Sequence, residues 1–269
     1  ILQKKIVASK MKKSTMILRM DDLGAASKRH EVYSKWRLRI AGYPVVSGNW
    51  LFLKYTAPFK AWARYREMES SDIMALLRIL ERWQVSMTIA VTACWVEDDG
   101  SLTPYPQKFP RAAETLRSAA CEGIVEIANH GLTHCIVEGK AFRPRWFHEN
   151  RPYHREFTPL LNLSDHESHL KRSQAILQDW LGLPVTTFVP PGNMFLPETV
   201  RLAKNLGIHA ISCKTTTRKE SGVDIIGNEQ TFALHDREMV LFGGGWLNHN
   251  VQYLSVKEWR KQHAGIEAS

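Results

Sequence analysis

The sequence predicts an α/β fold built on a parallel sheet, open or closed into a barrel. Apolar runs that read as strands alternate with segments of helical period, the pattern of repeated strand–helix–strand units. The chain has 269 residues, enough for one domain of barrel size. Neither an internal repeat nor a low-complexity linker divides it.

Taken in order, strand-like runs fall at 15–20, 85–92, 123–128, 185–189, 210–213 and 239–242. Helical patterns lie between them at about 72–83, 111–121, 167–181 and 197–206. Ser164 with Glu167 three residues later predicts a capping box for the third helix, and Pro197 with Gly207 brackets the fourth. Two stretches break the alternation. Residues 28–66 carry Trp36, Tyr43, Trp50, Phe52 and Tyr55. Residues 136–160 carry Trp146, Arg151, His154 and further basic groups. Both read either as active-site rim, with aromatic faces for sugar rings and Arg or His for phosphate or carboxylate, or as insertions packed on the exterior. The domain reading is a basic N-terminal extension over 1–14, a catalytic domain over 15–255 with loop insertions at about 28–66 and 136–160, and a C-terminal tail over 256–269.

Composition is that of a soluble globular protein, with 44% hydrophobic and 23% charged residues. The net charge of +9 leaves room for an anionic partner such as a sugar nucleotide or a lipid-linked phosphate. No motif points to nucleic acid, which is excluded as a partner. Cys94, Cys121, Cys135 and Cys213 lack metal or disulfide spacing and read as reduced thiols. No apolar run approaches the length of a transmembrane helix, and residues 1–13 lack the apolar core of a signal peptide. Cytoplasmic placement is the expectation, with Met11 as a candidate natural start.

The chemistry concentrates in three places. His130 and His134, four residues apart, follow the apolar run 123–127. With 11 His in the chain such a spacing arises by chance roughly 0.4 times, so the pair alone is weak. Asp21-Asp22 ends another strand-like run, 16–20, and catalytic groups in α/β folds gather at such carboxyl ends. Two imidazoles and one carboxylate make a three-ligand metal site with open positions, and the second carboxylate is free to act as a base. The rival acidic pair Asp98-Asp99 precedes Gly100-Ser101 and reads as a turn. His249, in Leu247-Asn248-His249, and His235, before Asp236-Arg237, compete for the acid role.

These residues resemble the polysaccharide deacetylases of the NodB-homology group, carbohydrate esterase family 4. The first family motif, an apolar strand ending in Asp-Asp, is matched by residues 18–22, and the second, G-h-E-I-x-N-H-x-x-x-H, by Gly123–His134. A late Leu-x-His motif is matched by Leu247-Asn248-His249. The resemblance implies a distorted (β/α) barrel of about seven parallel strands. It also implies that Asp22, His130 and His134 hold a divalent metal, Zn²⁺ first, with Co²⁺ or Ni²⁺ as alternatives. Asp21 would be the general base, His249 the general acid, and Leu247 a wall of the acetyl pocket. The third motif, Arg-x-Pro-Tyr-Gly, reads here Phe188-Val189-Pro190-Pro191-Gly192, without the Arg that orients the base or the Tyr whose backbone helps the oxyanion. Pro191 has no N–H, so Gly192 or Asn193 is the expected donor. The fourth motif is not found near Cys213–Thr217.

The function expected is metal-dependent removal of an acetyl group from a carbohydrate, as N-deacetylation of an amino sugar in surface-polysaccharide metabolism. Acetylated sugars, sugar nucleotides or lipid-linked glycans would be substrates. Alternatives are a catalytically weak carbohydrate-binding protein on the same fold and a glycoside hydrolase on a related barrel. The hydrolase would need two carboxylates flanking a sugar bond.

Overall fold

The computed structural model describes residues 14–30, 37–41, 43–47, 66–137, 151–242, 247–248 and 250–263. The chain runs through β1 (Ser14–Leu23), a hairpin of β2 (Arg37–Ile40) and β3 (Tyr43–Ser47), α1 (Ser70–Trp83), and β4 (Met87–Val91). A second hairpin, β5 (Cys94–Val96) and β6 (Leu102–Pro104), leads to α2 (Tyr105–Lys108), α3 (Pro110–Cys121) and β7 (Val125–Asn129). Then follow α4 (Leu163–Leu181), β8 (Thr187–Phe188), α5 (Pro197–Asn205), β9 (Ala210–Ser212), β10 (Arg218–Glu220) and β11 (Val223–Ile226). The chain continues with β12 (Thr231–His235), α6 (Asp236–Phe242), β13 (Val251–Leu254) and α7 (Val256–His263).

Seven strands form one parallel run in the order β11-β9-β8-β7-β4-β1-β12, with β10 antiparallel on β11. Each strand puts alternate residues on opposite faces. On β1, Leu18 and Met20 enter the main core, with Leu76, Leu80, Ile89 and Ile127 among the residues packed there. The other face of β1 carries Ile17, Arg19 and Asp21. Ile17 packs with Ala210 of β9, Ile226 of β11 and Val256, although β9 and β11 lie at the far end of the strand order. Ala90, Ala128 and Val189 form a second interior cluster. The sheet therefore curls on itself around a packed interior: the fold is a distorted (β/α) barrel.

The base of this barrel is closed by α7. Val256 N–H donates to Thr88 Oγ1 and Lys257 N–H to Glu126 Oε2, both at 2.8 Å. Glu126 also accepts from Thr88 and Thr187. Its carboxylate thus serves as an acceptor for the first turn of α7, where helical N–H groups have no partner of their own. Residues expected as a tail therefore begin with a helix that seals the barrel.

Two local expectations need correction. Met239–Phe242 lies in α6, because Asp236 and Glu238 supply acidic first-turn residues and Glu238 accepts from His235 N–H at 2.9 Å. A four-residue apolar run is too short to tell strand from helix by periodicity. The edge strand instead is β12, immediately upstream. Finally, α4 starts at Leu163, capped by Asn162 Oδ1 accepting from Asp165 N–H at 2.9 Å, so Ser164 is inside the helix. Asp98-Asp99 does lie in a turn, with Asp99 accepting from Ser101 N–H at 2.9 Å.

Candidate metal and catalytic centre

Regular pleating would send Asp21 and Asp22 to opposite faces. Between Met20 and Leu23, however, the register of β1 on β4 shifts, and Asp22 has φ 73°. This bulge turns Asp22 toward the strand ends while Asp21 keeps its interior direction. The left-handed backbone at Asp22 is held by a buried lysine: Lys28 Nζ donates to Asp22 O and to Asp236 Oδ2.

The second half of the site is a tight turn after β7. Gly131 has φ 80° and His134 φ 57°. Glu156, fully buried, accepts N–H bonds from Leu132, Thr133 and His134 at 2.9, 3.2 and 3.0 Å, and His169 Nδ1 lies 2.6 Å from its Oε1. A Cβ on Gly131 would sit 2.2 Å from Glu156 Oε2, so only glycine lets the carboxylate approach. The turn is therefore wrapped around one side chain.

Asp22, His130 and His134 converge, with one donor atom from each lying within 4.8 Å of the others. His130 Nε2 and His134 Nε2 are 3.2 and 3.1 Å from Asp22 Oδ1. Nitrogen and oxygen donors at ~2.0–2.1 Å in tetrahedral array around zinc would stand about 3.3 Å apart, close to this spacing. His130 Nδ1 lies 2.6 Å from Val189 O, an acceptor, so this nitrogen carries a proton and Nε2, facing Asp22 Oδ1, is the nitrogen a metal ion would use. His134 Nδ1 is 3.2 Å from Ser27 Oγ. Donor set, burial and outer partners all fit a divalent ion. Burial by itself would raise the Asp22 carboxyl. The charges of His134 and His235 and hydrogen bonds from His130 and His134 outweigh it and hold the group well below its ordinary value.

Asp21 is gripped by a residue that sequence reasoning passed over. Arg19 Nε donates to Asp21 Oδ1 at 2.7 Å and Nη2 to Oδ2 at 2.8 Å, while Nη1 reaches across the barrel to Ser212 Oγ at 2.7 Å. Arg19 is 1% exposed. The resemblance placed an orienting arginine in the third motif, where this chain has Phe188; β1 itself carries one. Its signal was the spacing, since residues i and i+2 of a strand share a face.

His235 pairs in register with Asp21 at the end of β12. Its side chain is 44% exposed and its Nδ1 is 3.5 Å from Glu238 Oε2. The Asp22 charge, opposed by burial and helped by Glu238 and Asp21, pushes its pKa up to about 9. His249 lies outside the described residues. Its neighbours Asn248 and Asn250 precede Val251, which pairs with Ser14. Ser14 is seven residues upstream of Asp21, roughly 20 Å along the strand at ~3.3 Å per residue. Leu247 is partly buried against the main core.

Of the remaining candidates, Pro191 packs close to Gly131, with its Cγ 3.0 Å from the point a Cβ would occupy there. Asn193 N–H donates to Pro190 O at 2.9 Å and is committed, leaving Gly192 as the remaining member of that pair. His154 is buried. Trp146 lies outside the described residues, as does the side chain of Arg151. No helix among the described residues is long and apolar enough to cross a membrane.

Among solved structures, the chain resembles a Mycobacterium smegmatis protein assigned to the polysaccharide deacetylases (17% identity, TM-score 0.39, covering 73% of this chain and 58% of that one). It also resembles a CE4 family pseudoenzyme from Bacillus anthracis (14%, 0.41, 71% and 61%). A 4-alpha-glucanotransferase from Thermococcus litoralis aligns over 93% of this chain and 40% of its own, at 10% identity and TM-score 0.51, which shows a shared barrel fold. The chain thus spans about three fifths of the first two proteins. No curated protein matches it. The polysaccharide deacetylase family model matches residues 67–211, more than half of the chain. The chain belongs to the polysaccharide deacetylase family.

Proposed function

We propose that the protein is a metal-dependent hydrolase that removes an acetyl group from a carbohydrate, as N-deacetylation of an amino sugar. The convergence of two imidazole Nε2 atoms on one oxygen of Asp22, beside a separately held Asp21, carries this reading. Asp22, His130 and His134 would hold the ion, with zinc favoured by the nitrogen-rich donor set. When bound, a divalent ion supplies Lewis-acid chemistry: it polarises an acyl carbonyl and makes water easier to deprotonate.

The chain's own groups do the rest. Asp21 takes the proton of the attacking water at its carboxylate. The Arg19 fork occupies one lone pair on each oxygen and leaves the others to accept, so the base is fixed without being blocked. We assign the acid role to His235, the rival of His249 in the sequence, because its register with Asp21 puts it at the same barrel end. Placed beside Asp21 and Glu238, its protonated form donates to the leaving amine, which departs poorly without a proton. Gly192 N–H is the remaining backbone donor for the oxyanion.

The test combines metal analysis with acetate release from acetylated amino sugars. We expect one zinc per chain and acetate release that fall together in His130→Ala and His134→Ala. Asp21→Asn should keep the metal and lose at least about 10²-fold in rate. Full activity in Asp21→Asn would refute the mechanism. Stoichiometric metal with no acyl turnover would instead favour a carbohydrate-binding protein on the same fold.

A further inference from the structure

Residues 154–156 cross the centre as a strap, and two consecutive side chains go to different places. Glu156 enters the 131–134 turn and is fully committed there to Leu132, Thr133, His134 and His169. Arg155 lies instead over Gly192. A Cβ on Gly192 would meet Arg155 Cγ at 2.5 Å and Cδ and Nε at 3.4 Å, so glycine makes the room that the arginine occupies. Gly192 follows Pro191, which packs on Gly131 beside His130. The Arg155 stem therefore lies over the Pro191–Gly192 turn that packs against the metal-ligand segment.

Arg155 as a residue is half-buried, and among the described residues its guanidinium has no hydrogen bond or ion pair. Among the described residues, the carboxylates of the centre are engaged elsewhere: Asp21 by Arg19, Asp22 by the two histidines, Glu156 by the turn. The Arg155 fork therefore keeps its N–H donors available to a ligand beside Gly192, the candidate oxyanion donor. We propose that Arg155 is an anion-recognition residue, selecting a substrate that bears a phosphate or carboxylate close to its acyl group. The planar fork of arginine suits both groups through two parallel N–H bonds. The net charge of +9 accords with an anionic substrate. The proposal rests on the deacetylase reading only for the acyl group; the anion site can be tested by binding.

The experiment compares the zinc-loaded protein's affinity for N-acetylglucosamine 6-phosphate and for N-acetylglucosamine by calorimetry, and follows acetate from both. We expect the phosphorylated sugar to bind roughly tenfold to a hundredfold tighter, an advantage that shrinks as salt is raised. Arg155→Gln should abolish the advantage while leaving neutral-sugar affinity and zinc content unchanged. Arg155→Lys should keep part of it, and Arg111→Gln on the distant α3 should keep all of it. Equal or absent binding of the two sugars by the parent protein, or an advantage that survives Arg155→Gln, overturns the proposal. Weaker affinity for both sugars alike in Arg155→Gln would mark a structural role and also overturns it. Charge discrimination without any acetate release would sink the deacetylase reading and leave the anion site standing.

Discussion

Replacing Glu156 by Gln probes the wrapped turn with almost no change of shape. Glu156 Oε1 accepts from Leu132 N–H and lies against His169 Nδ1, while Oε2 accepts from Thr133 and His134 N–H. An amide can present an oxygen on one side only. The other side then offers an NH₂ to groups that are themselves donors, and two of these contacts are lost in a fully buried place. Each buried donor left unpaired costs about 1–3 kcal/mol, and breaking a buried charged pair costs about 3–5 kcal/mol. A total near 4 kcal/mol is therefore expected. For 269 residues, an unfolding entropy of ~2.1 cal/mol/K per residue gives about 0.56 kcal/mol/K, so Tm should fall by about 7 °C. Circular dichroism melts of the metal-free protein measure this directly. Because the turn carries His134, zinc affinity should weaken in parallel by roughly 10- to 100-fold, as for other outer-shell partners. A Tm within about 1 °C of the parent, with unchanged zinc affinity, would refute the claim that Glu156 organises the turn.

Other perturbations test different links. Arg19→Lys keeps the charge and loses the fork, so acetate release should drop by about 10²-fold in kcat with KM within a few-fold; full kcat would mean that Arg19 does not set Asp21's position. His169 titrates above its ordinary value, because hydrogen bonding and charge from Glu156 outweigh the opposing effect of burial. Its contribution is thus fully present below about pH 6.5 and lost as pH rises through the raised value. Urea unfolding of parent and His169→Asn should differ most near pH 6 and converge at alkaline pH; a gap that widens with pH would contradict the pairing. Thiol labelling of the native protein should modify Cys121, which is exposed, well before Cys94, Cys135 and Cys213, which are buried and whose thiols burial pushes up.

The centre was legible in the sequence to an unequal degree, for physical reasons. Asp22, His130 and His134 could be found because each stands at the end of an apolar run, and strand ends converge in a parallel barrel. Arg19 was equally available, since its place two residues before Asp21 puts both on one face, but it sits within an apolar run and reads as part of the strand. Glu156 had no local signal. Its role comes from a fold that brings it against a turn 22 to 25 residues upstream. His235 was visible as a rival for the acid role, but its strand was not, because the alternation in Thr231–His235 is weaker than the apolar run 239–242 just after it. Helix ends showed the same limit: Asn162 and Ser164 are both good caps, and only the observed bond to Asp165 decides between them.

The closure of the barrel by its last elements bears on how the protein is made. β1 carries both aspartates, yet its pairing with β12 and with β13 comes only from residues late in the sequence, and α7 packs on it. During synthesis the first strand emerges long before residues 231–263, and until they arrive it can pair on one side only, with β4. An unpaired strand edge in a partly made chain invites aggregation. Ribosome-bound chains truncated before β12 should therefore expose Asp21-Asp22 to solvent and bind no zinc, so that the metal centre matures only after the final helix has left the ribosome.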